Sequence, residues 1–278
     1  MKTFTSYTET DNNTIMIVDA LNLAFRYKHS KAKVFSADYI KTVNSLAKSY
    51  KAAKVIIACD QGSSSYRKAI LPEYKQHRKE KYDQQTEQEA RDFEEFFQEF
   101  NRTMEDISKI YPLLRFDKCE ADDIAAFIVN QYNTRNIWLI SSDADWDLLI
   151  RDNVSRFSYV SRKEITKENW NTHYDFSIDD LISIKCLTGD SGDNVPGIPG
   201  VAAVRAKTLV ERYGTAYDIA ASLPISSKYK YIQSLNDFGS DNLLRNYRLM
   251  DLVSYCDEAL GKDNCDKIEE ILEGYLND

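Results

Sequence analysis

Thr14-Ile15-Met16-Ile17-Val18-Asp19 is a short apolar, β-branched run closed by a carboxylate. Its length and lack of alternation read as a strand buried on both faces. The pattern recurs down the chain. Lys54-Val55-Ile56-Ile57-Ala58 is a second strand and ends at Cys59-Asp60. A third, near Leu113–Phe116, leads to Glu120, and a fourth, Asn136–Ile140, ends at Ser142-Asp143. Helical stretches lie between them. Ser36 is placed to cap a helix whose apolar positions Ile40, Val43, Ala47 and Tyr50 keep a 3.6-residue rhythm. Phe93, Phe96, Phe97, Phe100, Met104 and Ile107 form a longer stripe that reads as the packed face of a helix, and another helix runs from about Asp122 to Tyr132. Strands alternating with helices predict an α/β fold, a central, mostly parallel sheet flanked by helices. Ligands of such sheets bind in the crevice at the carboxyl ends of the strands. Asp19, Asp60, Glu120 and Asp143 each follow a strand end, so four chain segments send an acid to one place.

The pattern turns helical from about Ser177, an N-cap candidate with Asp180 three residues on. Asn194-Val195-Pro196-Gly197-Ile198-Pro199-Gly200 is a turn-rich break between two helices, and Gly214 can end the second. The expected organisation is a loose polar tail over 1–13, an α/β domain over 14–177 and a helical region over 178–278, with the turn at about 194–201.

A chain of 278 residues can bury a substantial core. No stretch of 18 apolar residues exists to span a membrane, and the polar N-terminus lacks the apolar run of a signal peptide. Five cysteines without a CxxC pair argue against a disulfide framework or a zinc site and for free thiols in a reducing cytoplasm. A net charge of −8 argues against a nucleic-acid partner only until its distribution is considered. Arg67, Lys68, Lys75, Arg78, Lys79 and Lys81 lie between Ser63 and Tyr82, against only Glu73 and Glu80. The acids are gathered elsewhere: Asp19; Asp60; Glu120, Asp122 and Asp123; Asp143 and Asp145; Asp190 and Asp193. With those nine set aside as a cation site, the remaining chain is near neutral.

Carboxylates so close together cannot all stay ionised without cations, and hard oxygen donors suit Mg²⁺ or Mn²⁺. Two such ions can activate a water and clamp a phosphate for in-line displacement. Each acidic piece has a plain alternative: a solvated DxD loop, an acidic first helical turn, a polar turn. Their joint occurrence in this order is what points to phosphodiester chemistry.

The segments VDALNLAFRYKH, CDQGSSSYRKAILPEYKQHRKEKY, EADDIAAFIV, LISSDADWDLL and LTGDSGDNVPGIPGV, in that order, resemble the 5′-nuclease and flap endonuclease family, especially its bacteriophage members, over about residues 14 to 250. The resemblance implies a PIN-like nuclease core with a helical arch and a helix–three-turn–helix element that holds duplex DNA. It implies a first metal group of Asp19, Asp60, Glu120 and Asp122. The second is Asp143, Asp145 and Asp193, with Asp122 bridging the two and Asp123 and Asp190 close to the metals. Lys75 and Arg78 match basic residues at the arch base that meet the scissile phosphate, and Tyr74 an aromatic on which a terminal base stacks. DNA contacts are implied for Arg67, Lys185, Gly197, Gly200, Arg205 and Lys207, and a K⁺ ion for the hairpin carbonyls. Ala20, Ala202 and Val204 depart from the family pattern, which often has Gly, Gly and a basic residue there; Arg205 and Lys207 are placed to compensate. The segment from about Glu73 to Ile107 is expected to be the arch, with a polar first leg that opens easily.

The implied activity is that of a monomeric cytoplasmic 5′-nuclease, host-cytoplasmic if viral. It uses two or more Mg²⁺ or Mn²⁺ ions on DNA with a 5′ flap, 5′ overhang or nick, and on RNA–DNA hybrids, in replication and primer removal. The residues by themselves also admit a non-catalytic branched-DNA-binding protein on the same fold, and a phosphatase of small phosphate esters. The complete acid set speaks against the first, and the arch-base lysine with the hairpin turn against the second.

Overall fold

The computed structural model describes residues 10–30 and 32–277. Residues 1–9 of the expected tail lie outside these. Asp11–Asn13 do not belong to a tail, because they open strand β1 (Asp11–Asp19). There the Asp11 carboxylate accepts from the Asn13 amide and the Thr14 hydroxyl, at 2.9 and 2.6 Å.

The sheet has six strands in the order β3 (Leu113–Arg115), β2 (Ala52–Cys59), β1, β4 (Asn136–Ile140), β5 (Val154–Ser158), β6 (Lys163–Ile165). All neighbours pair in parallel except β6, which runs antiparallel to β5. The chain winds outward from β1 to β3, then crosses back to lay β4 on the other side of β1. The reversal opens a crevice between the carboxyl ends of β1 and β4, where such sheets hold their ligands.

Period-two alternation explains why the strands read as unbroken apolar runs. Ile15 and Ile17 face one layer and Met16 and Val18 the other, and β2 and β4 divide likewise. One face is covered by α1 (Ala20–His29), α2 (Ser36–Ser49) and the second half of α5 (Glu87–Ile107). The other is covered by α6 (Ala121–Gln131) and two C-terminal helices. Strands β5 and β6 escape the sequence reading because Arg156 interrupts β5. Its guanidinium is buried against the Asp147 carboxylate at 2.6 and 2.8 Å and the Ser141 carbonyl at 2.9 Å, so the charge sits inside the layer.

Ser36 does not cap α2. The cap comes from α5, whose buried Glu99 accepts from the Phe35 and Ser36 amides at 2.9 and 3.2 Å, while the Ser36 hydroxyl donates to Asp106. These bonds and the Phe96, Phe100, Met104 and Ile107 side chains anchor this half of α5. Its other end begins at a Thr86–Glu89 capping box and meets α4 (Gln76–Asp83), a helix without an apolar face that follows the short α3 (Ser65–Ile70). Together α4 and α5 form a strap beside the crevice.

The helical region is smaller than 178–278. Helices α7 (Leu181–Thr188), α8 (Ala203–Tyr213), α9 (Ala216–Ala221) and α10 (Lys230–Met250) share their own core, including Ile184, Leu187, Leu209 and Leu235. Helices α11 (Leu252–Leu260) and α12 (Lys262–Asn277) belong to the sheet instead. Their stripe of Leu252, Cys256, Leu260, Ile268, Leu272 and Leu276 packs on α6 and the β-layer. Spacing alone shows that such a stripe is buried but not against what. No described helix is long and apolar enough to cross a membrane, and all five cysteines are buried as free thiols.

Candidate active site

Asp19, Asp60 and Asp143 reach the crevice because a buried strand stops just before or at each of them, and the other acids arrive from a helix start and a turn. Asp19 ends β1 and caps α1, accepting from the Asn22 amide at 3.1 Å. Asp60 follows β2 and accepts from the Ala121 amide at 2.7 Å, tying the strand end to the start of α6. Glu120 and Asp122 lie at that helix start, where the macrodipole favours anions. Asp143 and Asp145 follow β4, and Asp190 and Asp193 come from the turn after α7. Seven carboxylates, Asp19, Asp60, Asp122, Asp143, Asp145, Asp190 and Asp193, line one cavity of 460 Å³, with Lys75 and Arg78 the cations lining it among the described residues.

The remaining bases and polar groups divide the acids among themselves. Lys75 Nζ lies 2.8 Å from Glu120 and 3.5 Å from Asp193, and Arg78 donates to Asp193 at 2.6 Å. Lys185 pairs with Asp145 at 2.6 Å. The Trp146 indole donates to Asp122 at 2.6 Å. As the side chains stand, no three acids, cysteines or histidines among the described residues converge tightly enough to hold one ion.

The electrostatics nevertheless favour added cations. Burial and then Asp60 push the Asp19 carboxyl up to about 8. Burial, then Asp143, holds Asp122 well above the carboxylate range. Asp60 and Asp143 are also raised, by desolvation first. Glu120 differs: desolvation opposes its charge, but Lys75 and Arg67 outweigh it and keep the carboxyl low. Four carboxylates are therefore held where they resist ionising alone, on hard oxygen donors, which is the chemistry a divalent ion satisfies.

Three expected roles are corrected by burial. Asp123 is fully enclosed, and Arg67 clasps both its oxygens at 2.7 Å, so it does not face the cavity. Arg67 is 4% exposed and also reaches Glu120 and the Leu249 carbonyl, which leaves it no surface for DNA. Tyr74 is equally enclosed, with its hydroxyl lodged between Asp193 and Glu120 at 2.8 and 3.0 Å, so its ring offers no stacking face. Arg67→Met should lower unfolding stability by about 3–5 kcal/mol in denaturant titration, because it leaves Asp123 buried and unpaired. A loss under 1 kcal/mol would show that the pair is dispensable.

Spacing did not single out Ser141. Its buried hydroxyl donates to Asp19 at 2.7 Å and accepts from the Asp143 amide at 3.1 Å, joining the two strand-end acids across the switch point. It and Trp146 sit inside the LISSDADWDLL segment, the only signal that could have found them.

The hairpin after α7 is packed backbone to backbone. A Cβ on Gly197 would lie 1.9 Å from the Thr188 carbonyl oxygen, so only glycine fits. Asn246 donates to the Cys186 and Pro196 carbonyls at 3.0 and 2.7 Å. Gly200 is exposed, its carbonyl accepting from Arg205 at 2.5 Å, and Lys207 pairs with Asp175 at 3.0 Å on the α8 surface.

Residues 14–175 match the family described as 5′-3′ exonuclease, N-terminal resolvase-like domain. The flap endonuclease of Escherichia phage T5 is 42% identical over 268 residues, covering 93% of this chain and 91% of that protein. A solved structure of bacteriophage T5 flap endonuclease, in a pseudo-enzyme-product complex with DNA and metal ions, superposes with a TM-score of 0.91. It is 39% identical, over 95% of this chain and 100% of the other. Another, of T5 5′-exonuclease with divalent zinc ions, gives 0.91 at 40% identity, over 95% and 99% of the two chains.

Proposed function

The chain belongs to the 5′-3′ exonuclease family, and from that premise we propose that it is a metal-dependent, structure-specific 5′-nuclease acting on DNA with a 5′ flap, overhang or nick. One observation carries the reading: acids from five chain segments line a single crevice at the switch point, with the bases of the strap at its mouth. Asp19, Asp60, Glu120 and Asp122 would hold one divalent ion and Asp143, Asp145 and Asp193 a second, with Asp122 between them and Asp190 bracing the Asp193 turn. Ions bound there, Mg²⁺ or Mn²⁺, supply Lewis acidity for phosphodiester hydrolysis to a 5′-phosphate and a 3′-hydroxyl. With Glu120 and Asp193 so engaged, Lys75 and Arg78 are free to turn to the scissile phosphate. Lys185 stands at the rim beside Asp145 for a neighbouring phosphate. The hairpin at Gly197 and Gly200, with Arg205 and Lys207, presents backbone amides and charge to the duplex. A K⁺ ion there would be held by the second lone pairs of turn carbonyls such as Val195, Pro196, Ile198 and Gly200, each of which already accepts one hydrogen bond. Removal of 5′ ends and RNA primers in replication is the step this chemistry suits, on RNA–DNA hybrids as well as DNA.

The test is a labelled 5′-flap duplex with Mg²⁺ and with EDTA, beside a chromogenic phosphomonoester. Flap products only with metal support the nuclease. Binding without cleavage supports a DNA-structure-binding protein, and phosphomonoester turnover alone a phosphatase. The polar α4 leg has few buried contacts and should open at low cost for a single strand to pass beneath. A bulky group fixed to the 5′ end before protein is added should therefore block cleavage, while the same group added after binding traps a cleavable complex. Equal cleavage of open and pre-blocked flaps would sink threading and leave the metal assignment standing.

The raised carboxyls give a pH signature. Between about pH 4 and 8 the folded protein keeps protons that the unfolded chain has already lost. Stability in EDTA should therefore fall as pH rises through that window. Mg²⁺ should restore it most at the alkaline end, by about 2.7 kcal/mol at a hundred times the dissociation constant. A Tm in EDTA that rises from pH 5 to 8 would contradict it.

A further inference from the structure

The turn that aims Lys75 and the loop that begins the hairpin share one seam. Lys75 (φ 57°) and Asn194 (φ 61°) both sit in the left-handed region. Asparagine tolerates it, but a lysine must be held there by its surroundings. Part of what holds it is local, the Glu73 carbonyl accepting from the Gln76 amide at 3.0 Å, and part comes from the other segment. The Lys75 amide donates to the Asp193 carbonyl at 3.0 Å, and the Asn194 side-chain amide donates to the Glu73 carbonyl at 2.8 Å. The loop making these bonds is itself closed. Asp190 and Val195 exchange backbone bonds at 2.9 and 2.8 Å, and the Asp190 carboxylate accepts from the Gly192 and Asp193 amides. Val195 is buried with Leu71 and Tyr74 beneath the turn. On its far side the hairpin is locked to α7 and α10 through Gly197 and Asn246.

We propose that Asn194 is a positioning residue that acts through Lys75. Its amide holds the Glu73 carbonyl, keeps the left-handed turn in place, and so aims the ammonium into the crevice. The hairpin that grips the duplex thereby sets the orientation of the strap-base lysine. This rests on the nuclease reading above.

Two variants test it by single-turnover cleavage of a 5′ flap at saturating enzyme. Asn194→Gly keeps the positive φ and removes the amide; Asn194→Asp keeps the shape and replaces the donor with an acceptor facing a carbonyl. Both should cut about five- to tenfold more slowly, the worth of one lost hydrogen bond, with the flap dissociation constant within about twofold of the parent. In a Lys75→Ala background neither should slow cleavage further, because residues acting as a unit are non-additive. Rates within twofold of the parent, a loss that appears in binding, or losses that multiply in the Lys75→Ala background would each overturn the proposal. A parent enzyme that cuts no flap with Mg²⁺ would overturn the nuclease reading instead.

Discussion

Asp122→Asn is expected to abolish metal-dependent flap cleavage and at the same time to raise the Tm of the metal-free protein. The amide keeps the carboxylate's shape, and its oxygen can still accept from the Trp146 indole, as Asp122 does at 2.6 Å. Charge is what it removes. A bound ion supplies several kcal/mol of transition-state stabilisation, and each 1.36 kcal/mol is tenfold in rate, so weakening a ligand shared by two ions should cost about 10³-fold or more. Metal-free stability should move the other way, because burial and Asp143 make the fold resist an ionised Asp122. Single-turnover cleavage with Mg²⁺ and calorimetry in EDTA at pH 8 read the two effects separately. Near-normal cleavage would remove Asp122 from between the ions, and a lower Tm would show that its charge is already compensated.

Lys75→Ala should slow the chemical step by about 10²–10³-fold, the usual loss when a preorganised stabiliser of developing negative charge is removed. Duplex affinity should change far less, because the hairpin and the α8 bases lie elsewhere. The structure adds a reason to expect folding without the ammonium: Glu120 keeps Arg67 and Tyr74, and Asp193 keeps Arg78 and Tyr74. A rate within a few-fold of the parent would make Lys75 only a counter-charge for the acids it now touches.

The four parallel strands β1 to β4 and the acids that follow them were legible because a strand covered on both faces must be apolar, and stops being so where it meets the crevice. The β5–β6 edge was not. Strand β5 carries Arg156 in mid-run, and only the fold shows Asp147 and the Ser141 carbonyl waiting to neutralise it. The cap of α2 is hidden from spacing for the same reason, since Glu99 reaches it from more than sixty residues away.

What the sequence determined alone is therefore local chemistry: strand ends, helical stripes, the types and order of the acids, and the glycines of the hairpin. Nothing in its basic run says which members face outward, and tertiary structure divides them. Arg67 turned inward to clasp Asp123 and Glu120, while Lys75 and Arg78 stayed at the crevice mouth. It likewise gave α11 and α12 to the sheet rather than to the helices before them. The reason is physical. Periodicity records that a side chain must leave water, and charge records that it must find a partner, but neither names the partner. Only the three-dimensional packing of segments distant in sequence decides which apolar face and which carboxylate each one meets.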